Sequence, residues 1–159
     1  MMTQISQANQ NNLFYEETAV EAVSDSKKYL TFVSNGLGFA ISSENVIEII
    51  NEHFITRLPR VPDYIKGIIN LRGQIVPIMD ARLRMGHPMA EHTKETCIIV
   101  ISVGDVSIGL YVDKVLHMID LYDDNISAPP ESSNQEFVSG ITHLNNVVYM
   151  ILDCGLLLK

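Results

Sequence analysis

The segment 67–80 of this chain returns, without a gap, as 140–153. Gly67, Ile68, Leu71, Ile78 and Asp80 meet the same residue types at Gly140, Ile141, Leu144, Ile151 and Asp153, and Ile75 meets the equally β-branched Val148. The match runs on to Leu83 and Leu156. Upstream, 39–41 and 46–50 align on 108–110 and 115–119, at an offset of 69 rather than 73 residues. A loop insertion produces such a step. A chain made of two copies of one strand–helix–hairpin unit is tightly constrained. Neither copy is large enough to bury its own apolar surface well, so the two must share a core. We expect them to sit side by side.

The elements of each copy follow from turn chemistry. Asn35-Gly36, Arg72-Gly73, Gly104-Asp105 and Asn145-Asn146 each separate two β-rich runs. The runs are 29–34 and 37–41, 68–71 and 74–80, 97–103 and 106–112, and 141–144 and 147–153. Two-residue connections of this kind mark hairpins, because their backbone twist matches that of the strands. Four hairpins predict an all-β fold of small barrels or a sandwich, and the repeat favours two β-barrel subdomains of SH3-like or OB-like size around a shared hydrophobic core. Short helices are expected at 44–51 and 113–119, and a helical turn at 62–66, where Pro62 suits a first turn. Asp80 and Asp153 end equivalent strands, which points to capping of the following turn.

Residues 1–28 differ from the rest. Gln and Asn crowd the first dozen positions, followed by Glu16, Glu17, Glu21 and Asp25. This reads as a flexible N-terminal arm, with a nascent helix around 15–23, ahead of a domain spanning 29–158. It has neither the basic start nor the apolar stretch of a secretory signal. No apolar run approaches the roughly 18 residues of a membrane span. Cys97 and Cys154 lie inside apolar segments, as expected of buried reduced thiols in a cytoplasmic protein.

Charge narrows the function. The chain has 11 Lys and Arg against 19 Asp and Glu, a formal charge of -8. That balance speaks against nucleic-acid binding and against docking to an anionic membrane. The sequence holds no phosphate-binding glycine loop, no nucleophile elbow and no C-x-x-C pair. His87 and His92 are five apart, unlike a helical metal pair, and His53, His117 and His143 stand alone. No enzyme, cofactor or metal site is therefore expected. What remains is a surface. Arg57, Arg60, Lys66, Arg72, Arg82 and Arg84 gather six of the 11 basic residues between 57 and 84, against Asp63 and Asp80. Such a face would orient the protein towards an acidic partner. Between the copies the scaffold repeats but the charges do not: Arg72 becomes Asn145, and Glu48 becomes His117. Charges that the scaffold does not need are candidates for partner recognition.

Several segments of the chain resemble the CheW family. Tyr29-Leu30-Thr31-Phe32, Val46-Ile47-Glu48-Ile49-Ile50, Pro59-x-Val61-Pro62-x-Tyr64-Ile65-Lys66-Gly67, Asn70-Leu71-Arg72-Gly73-x-Ile75-Val76-Pro77 and Asp80-x-Arg82-x-Arg84-Met85-Gly86 carry the resemblance. So do Val112-Asp113-x-Val115, Pro129-Pro130, Phe137-Val138-x-Gly140 and Ile151-Leu152-Asp153. Together they cover about residues 28–158. The resemblance implies two five-stranded β-barrels around a shared core. It also implies a non-enzymatic chemotaxis adaptor that couples methyl-accepting receptors to the histidine kinase CheA. Such an adaptor is cytoplasmic and is held at the inner face of the membrane through the receptors, without inserting itself. The family's coupling positions fall here on Arg72, Val46 and Glu48. We add Asn70 and Gly73 of the same motif, and Arg60 of the basic window. Three features depart from the family pattern: the longer arm, Ala81 where Leu is commoner, and His117.

Other readings stay open at this point. An adaptor of a pilus or other non-flagellar system shares the same motifs. The regulatory domain of a CheA kinase and the adaptor half of a CheV protein do too, although the sequence stops at Lys159 without room for a kinase or receiver domain. An oligonucleotide-binding barrel would want aromatic residues along a basic groove, and Tyr64 alone meets that in the basic window.

Overall fold

The computed structural model describes residues 25–51, 53–131 and 136–159. The chain forms β1 (Lys27–Ser34), β2 (Leu37–Ser42), a 3-10 turn (Ser43–Asn45), β3 (Val46–Ile50), β4 (Ile65–Leu71), β5 (Gln74–Asp80) and α1 (Ala81–Arg84). The second half follows with β6 (Cys97–Val103), β7 (Val106–Val112), β8 (Lys114–Leu121), a 3-10 turn (Asp123–Asn125), β9 (Ile126–Ser127), β10 (Val138–Leu144), β11 (Val147–Leu152) and α2 (Cys154–Leu157). The described residues contain no helix long and apolar enough to cross a membrane.

All four expected hairpins form. Asn35, Gly36, Arg72, Gly73, Asn145 and Asn146 all have positive φ, as a type I′ connection demands. At Gly104-Asp105 only the glycine does, the pattern of a type II′ turn. The expected helices do not form. Residues 46–50 and 114–121 are strands, and 63–64 are a turn leading into β4. The β-branched runs there have a partner strand to pair with, which overrides a weak helical spacing. The arm expected over 1–28, with its helix at 15–23, falls outside the described residues as far as 24. Lys27 and Lys28 already belong to β1.

The strands make two sheets, in the orders β8-β1-β2-β11-β10-β9 and β3-β6-β7-β5-β4. The copies are therefore not side by side. Each sheet takes a hairpin from one copy and the remaining strands from the other. Parallel pairings join them: β2 with β11, and β5 with β7. The registers repeat. Ile78 pairs with Gly109 just as Ile151 pairs with Ala40, and Leu30 meets Met118 as Ile99 meets Ile49. Neither ladder closes on itself, so these are open, curled sheets and not closed barrels.

Three apolar clusters explain the uninterrupted runs. In β6, Cys97, Ile99 and Ile101 face the core between the sheets, whereas Ile98 and Val100 face the curl of their own sheet. In β11, Leu152 and Tyr149 divide in the same way. A strand buried on both faces has no polar side to alternate with. Phe32 and Phe39, fully buried and with ring centroids 5.5 Å apart, join the hairpin β1–β2 to the shared core. Each such side chain contributes about 1.5–3 kcal/mol of burial.

One position admits only glycine. Gly67 has φ 148°, and a Cβ there would lie 2.1 Å from the Thr56 carbonyl oxygen. Thr56 and Ile68 exchange two backbone hydrogen bonds at this point, which seats the 53–64 segment on the edge of β4. Gly67→Ala is expected to destabilise the protein by at least about 3 kcal/mol, since relief requires breaking that contact. Urea unfolding of the variant checks this, and a midpoint equal to the parent's would contradict it.

Candidate functional site

The exchange of hairpins sets up the site. β3 and β4 are the two outer strands of their sheet. The sheet curls enough that the β4–β5 turn approaches β3 across the opening. There Arg72 clasps Glu48 with both ends of its guanidinium, Nη1 to Oε1 at 2.5 Å and Nη2 to Oε2 at 3.1 Å. The ladder leaves this sheet open, and a bidentate side-chain pair spans the gap. Ile47, Glu48, Leu71 and Arg72 line a cavity of about 150 Å³ with Val76 and Val100 behind.

Each expected residue has a distinct place. Asn70 Oδ1 accepts from the Gly73 backbone N–H at 2.8 Å, which supports the turn. Gly73 supplies the second positive φ of that turn. Arg72 supplies the first, at φ 53°, a conformation that favours Gly and Asn. Its counterpart Asn145 has the residue that such a turn prefers. An arginine kept in a left-handed conformation, with its side chain 74% exposed, is a candidate for contact rather than for packing. Glu48 is half-buried beside a bulge between Val46 and Glu48 in the pairing with β6. Bulges re-aim side chains. Val46 turns inward and packs on the shared core, so it shapes the strand and does not face out. Ile47, which the sequence did not single out, is exposed beside the ion pair, and exposed Ile75 is the cross-strand partner of Asn70. The departure from strict alternation in β3 was the signal for Ile47. Arg60 is exposed, also at positive φ, but it lies before β4, at the strand end opposite Arg72. It is not brought into the site.

The basic window breaks up in the same way. Arg82 holds Asp113 through Nε and Nη2, at 2.8–3.0 Å, and donates to Asn35 Oδ1 at 3.0 Å. Lys66 lies 3.8 Å from the buried carboxylate of Asp80 and 4.4 Å from the Tyr111 ring centroid. Arg84 packs over the rings of Tyr64 and Phe137 and donates to the Leu157 carbonyl. These three serve the fold, so no continuous basic face exists. Asp80 and Asp153 each cap the helix that follows, as expected. Both cysteines are buried and free, and burial pushes the Cys154 thiol up to about 11. Among the described residues no group of His, Cys, Asp or Glu is arranged to hold a metal.

The hydrogen bonds from Arg72 hold the Glu48 carboxyl below its ordinary pKa. A depressed carboxylate stabilises the folded pairing above its ordinary pKa and loses that contribution as pH falls through the lowered value. The Glu48 carboxyl resonance should therefore titrate below those of the unpaired carboxylates, and return to their range in Arg72→Ala. An unchanged titration in that variant would contradict the pairing.

The CheW-like domain model matches residues 28–159. A chemotaxis protein CheW of Bacillus subtilis is 34% identical over 135 residues, spanning 83% of this chain and 86% of the relative. A chemotaxis protein CheW of Helicobacter pylori is 30% identical, with 91% and 90% covered. Among solved structures, the scaffolding protein TtCheW from Thermoanaerobacter tengcongensis is similar at a TM-score of 0.79 and 30% identity, covering 84% of this chain and 92% of that one.

Proposed function

Because the chain belongs to the CheW-like domain family, an adaptor and scaffold family of chemotaxis, we propose that it couples methyl-accepting chemoreceptors to the histidine kinase CheA. In this reading it works by contact and catalyses nothing. It sits in the cytoplasm beneath the membrane, held there by the receptors.

The observation that carries the reading is exposed Arg72, paired with half-buried Glu48, beside exposed Ile47. Arg next to an apolar anchor is the composition of an interface hot spot, since the planar fork makes several directed bonds while the apolar group excludes water. The pair also fixes the open edge of the sheet, so a partner that engages Arg72 meets a preorganised surface. Arg72 donates to the partner, Glu48 orients Arg72, Ile47 packs, and Asn70 and Gly73 hold the turn. Val46 acts from behind, through the strand.

The test is reconstitution of receptor clusters with CheA and this protein, reading kinase activity. Activation is expected with the parent chain and not in its absence. Binding of both partners without any change in kinase activity would overturn the coupling role. One variant separates contact from stability. Arg72→Asn, which copies the turn of the second copy, is expected to leave the melting temperature equal to or slightly above the parent's, because relief of the left-handed arginine offsets loss of a solvent-screened ion pair. Thermal unfolding checks it. Marked destabilisation would show the ion pair to be a structural clasp.

A further inference from the structure

Arg57 and Arg60 are cations of the basic window that neither the fold nor the Arg72 site uses. Among the described residues neither makes an ion pair. Both are exposed, in a segment, 53–62, that contains no Asp or Glu. In the same segment Phe54 is 82% exposed, more than any other large apolar side chain among the described residues, and Leu58 is exposed as well. The backbone here is firmly held. Ile55 packs against the cluster of Ile69, Val76 and Ile78, and the two backbone bonds to Ile68 fix Thr56. The Ile65 N–H donates to the Pro62 carbonyl at 3.0 Å, and Pro59 and Pro62 restrict the chain further. A segment held this well presents two large apolar side chains and two cations to water between 54 and 60.

The backbone and the repeat both point to contact. Arg60 has φ 59°, directly after Pro59, at a turn position that suits Gly or Asn. Among the described residues the non-glycine positions with positive φ are three asparagines and the two arginines Arg60 and Arg72. Both arginines are exposed, so packing does not keep them there. Strain of this kind persists where a side chain has a use. In the second copy Ser127 stands opposite Ile141 as Thr56 stands opposite Ile68. From that anchor Arg57, Leu58, Pro59 and Arg60 align on Ala128, Pro129, Pro130 and Glu131. The pairing and the proline return. Both cations are lost, one of them to the opposite charge. The scaffold therefore does not require them.

We propose that Phe54, Arg57, Leu58 and Arg60 form a docking face for an acidic segment of a partner protein, one that also carries apolar side chains. The two guanidinium groups take its carboxylates, and Phe54 and Leu58 take its apolar residues. The formal charge of -8 repels polyanions such as nucleic acid or an anionic membrane, and also a second copy of the chain. The positive potential is confined to this segment, so it serves a partner whose acidic residues reach this place alone. Arg60 lies at the end of β4 opposite the Arg72 turn, and a segment bound here leaves that turn open. The proposal goes beyond the adaptor reading and holds whichever proteins the adaptor couples.

The probe is a synthetic peptide of alternating glutamate and leucine, titrated into the isotope-labelled full chain while the backbone amide resonances are followed. Shifts are expected over 53–62 and not at the Arg72 turn. The affinity should fall about tenfold in the double variant Arg57→Ser, Arg60→Gly, and about as far in Phe54→Ser, Leu58→Ser, as loss of anchoring side chains implies. Glycine accepts the backbone of Arg60, so the melting temperature of the first double variant should not drop below the parent's, and its weaker binding then reports contact rather than folding. The same peptide with lysine in place of glutamate should leave the resonances unmoved. No shift with the parent chain at millimolar peptide, shifts centred elsewhere, equal affinity in the first double variant, or equal binding of the lysine peptide each overturn the proposal. So do phosphatidylglycerol vesicles that move the same amides, which would assign the face to a lipid surface. Self-association of the parent that the first double variant abolishes would assign it to a second copy and overturn the proposal as well.

Discussion

Arg72→Glu should cut kinase activation in the reconstituted receptor–CheA assembly by about tenfold or more, the usual consequence of reversing a hot-spot charge. The fold should survive. Arg72 is exposed at a hairpin tip, so the core loses nothing when it changes. The new carboxylate faces Glu48 across the sheet opening and repels it, but in water that repulsion is small. The melting temperature should therefore stay within about 3 °C of the parent, since solvent screens the repulsion. The doubly exchanged protein, Glu48→Arg with Arg72→Glu, separates two roles that Arg72 could have. It rebuilds an ion pair across the opening but offers the partner a carboxylate where a guanidinium stood. We expect the exchange to recover the stability of the hairpin and not the activation, because the partner reads the arginine itself. Full activation by Arg72→Glu alone would remove Arg72 from the contact surface.

How far this site could be read from the chain depends on which interactions are local. The turns were legible, because Asn-Gly and its relatives report a backbone requirement of two adjacent residues. The anomaly of Arg72 was legible as well, through its comparison with Asn145. Its partnership with Glu48 was not. The two are 24 residues apart, one on the outer strand β3 and the other in the turn that follows the opposite outer strand β4, and only the curl of the sheet brings them together. The exchange of hairpins was equally hidden. A repeat shows that two units are alike and carries no information on whose strand pairs with whose. The errors at β3 and β8 have a related cause. Both are outer strands with a bulge in their pairing, and the exposed face of β3 carries Ile47 and Ile49 where polar residues would mark a strand, while the exposure of β8 does not alternate cleanly. Val46, Ile47 and Ile50 satisfy a helical stripe as well as a broken strand pattern. The basic window failed for another reason. Sequence proximity grouped six cations, and three of them turned inward to Asp113, Asp80 and the rings around Arg84.

The repeat makes two capping aspartates equivalent. Asp80 and Asp153 cap their helices by the same bonds, accepting from the N–H groups two and three residues on. Their surroundings differ. The Asp80 side chain is 3% exposed and has Lys66, itself 24% exposed, at 3.8 Å, whereas Asp153 stands in an open groove. Asp153→Ala should cost about 1 kcal/mol, the worth of a cap. Asp80→Ala should cost about 3 kcal/mol, because it also strands the Lys66 ammonium among partly buried groups. Asparagine divides the two contributions, since it still caps but carries no charge. Asp153→Asn should be nearly neutral, and Asp80→Asn should retain most of the loss. Urea unfolding of the four variants measures these differences directly. Equal costs for Asp80→Ala and Asp153→Ala would mean that the Lys66 contact, long at 3.8 Å, contributes nothing and that capping alone keeps both aspartates.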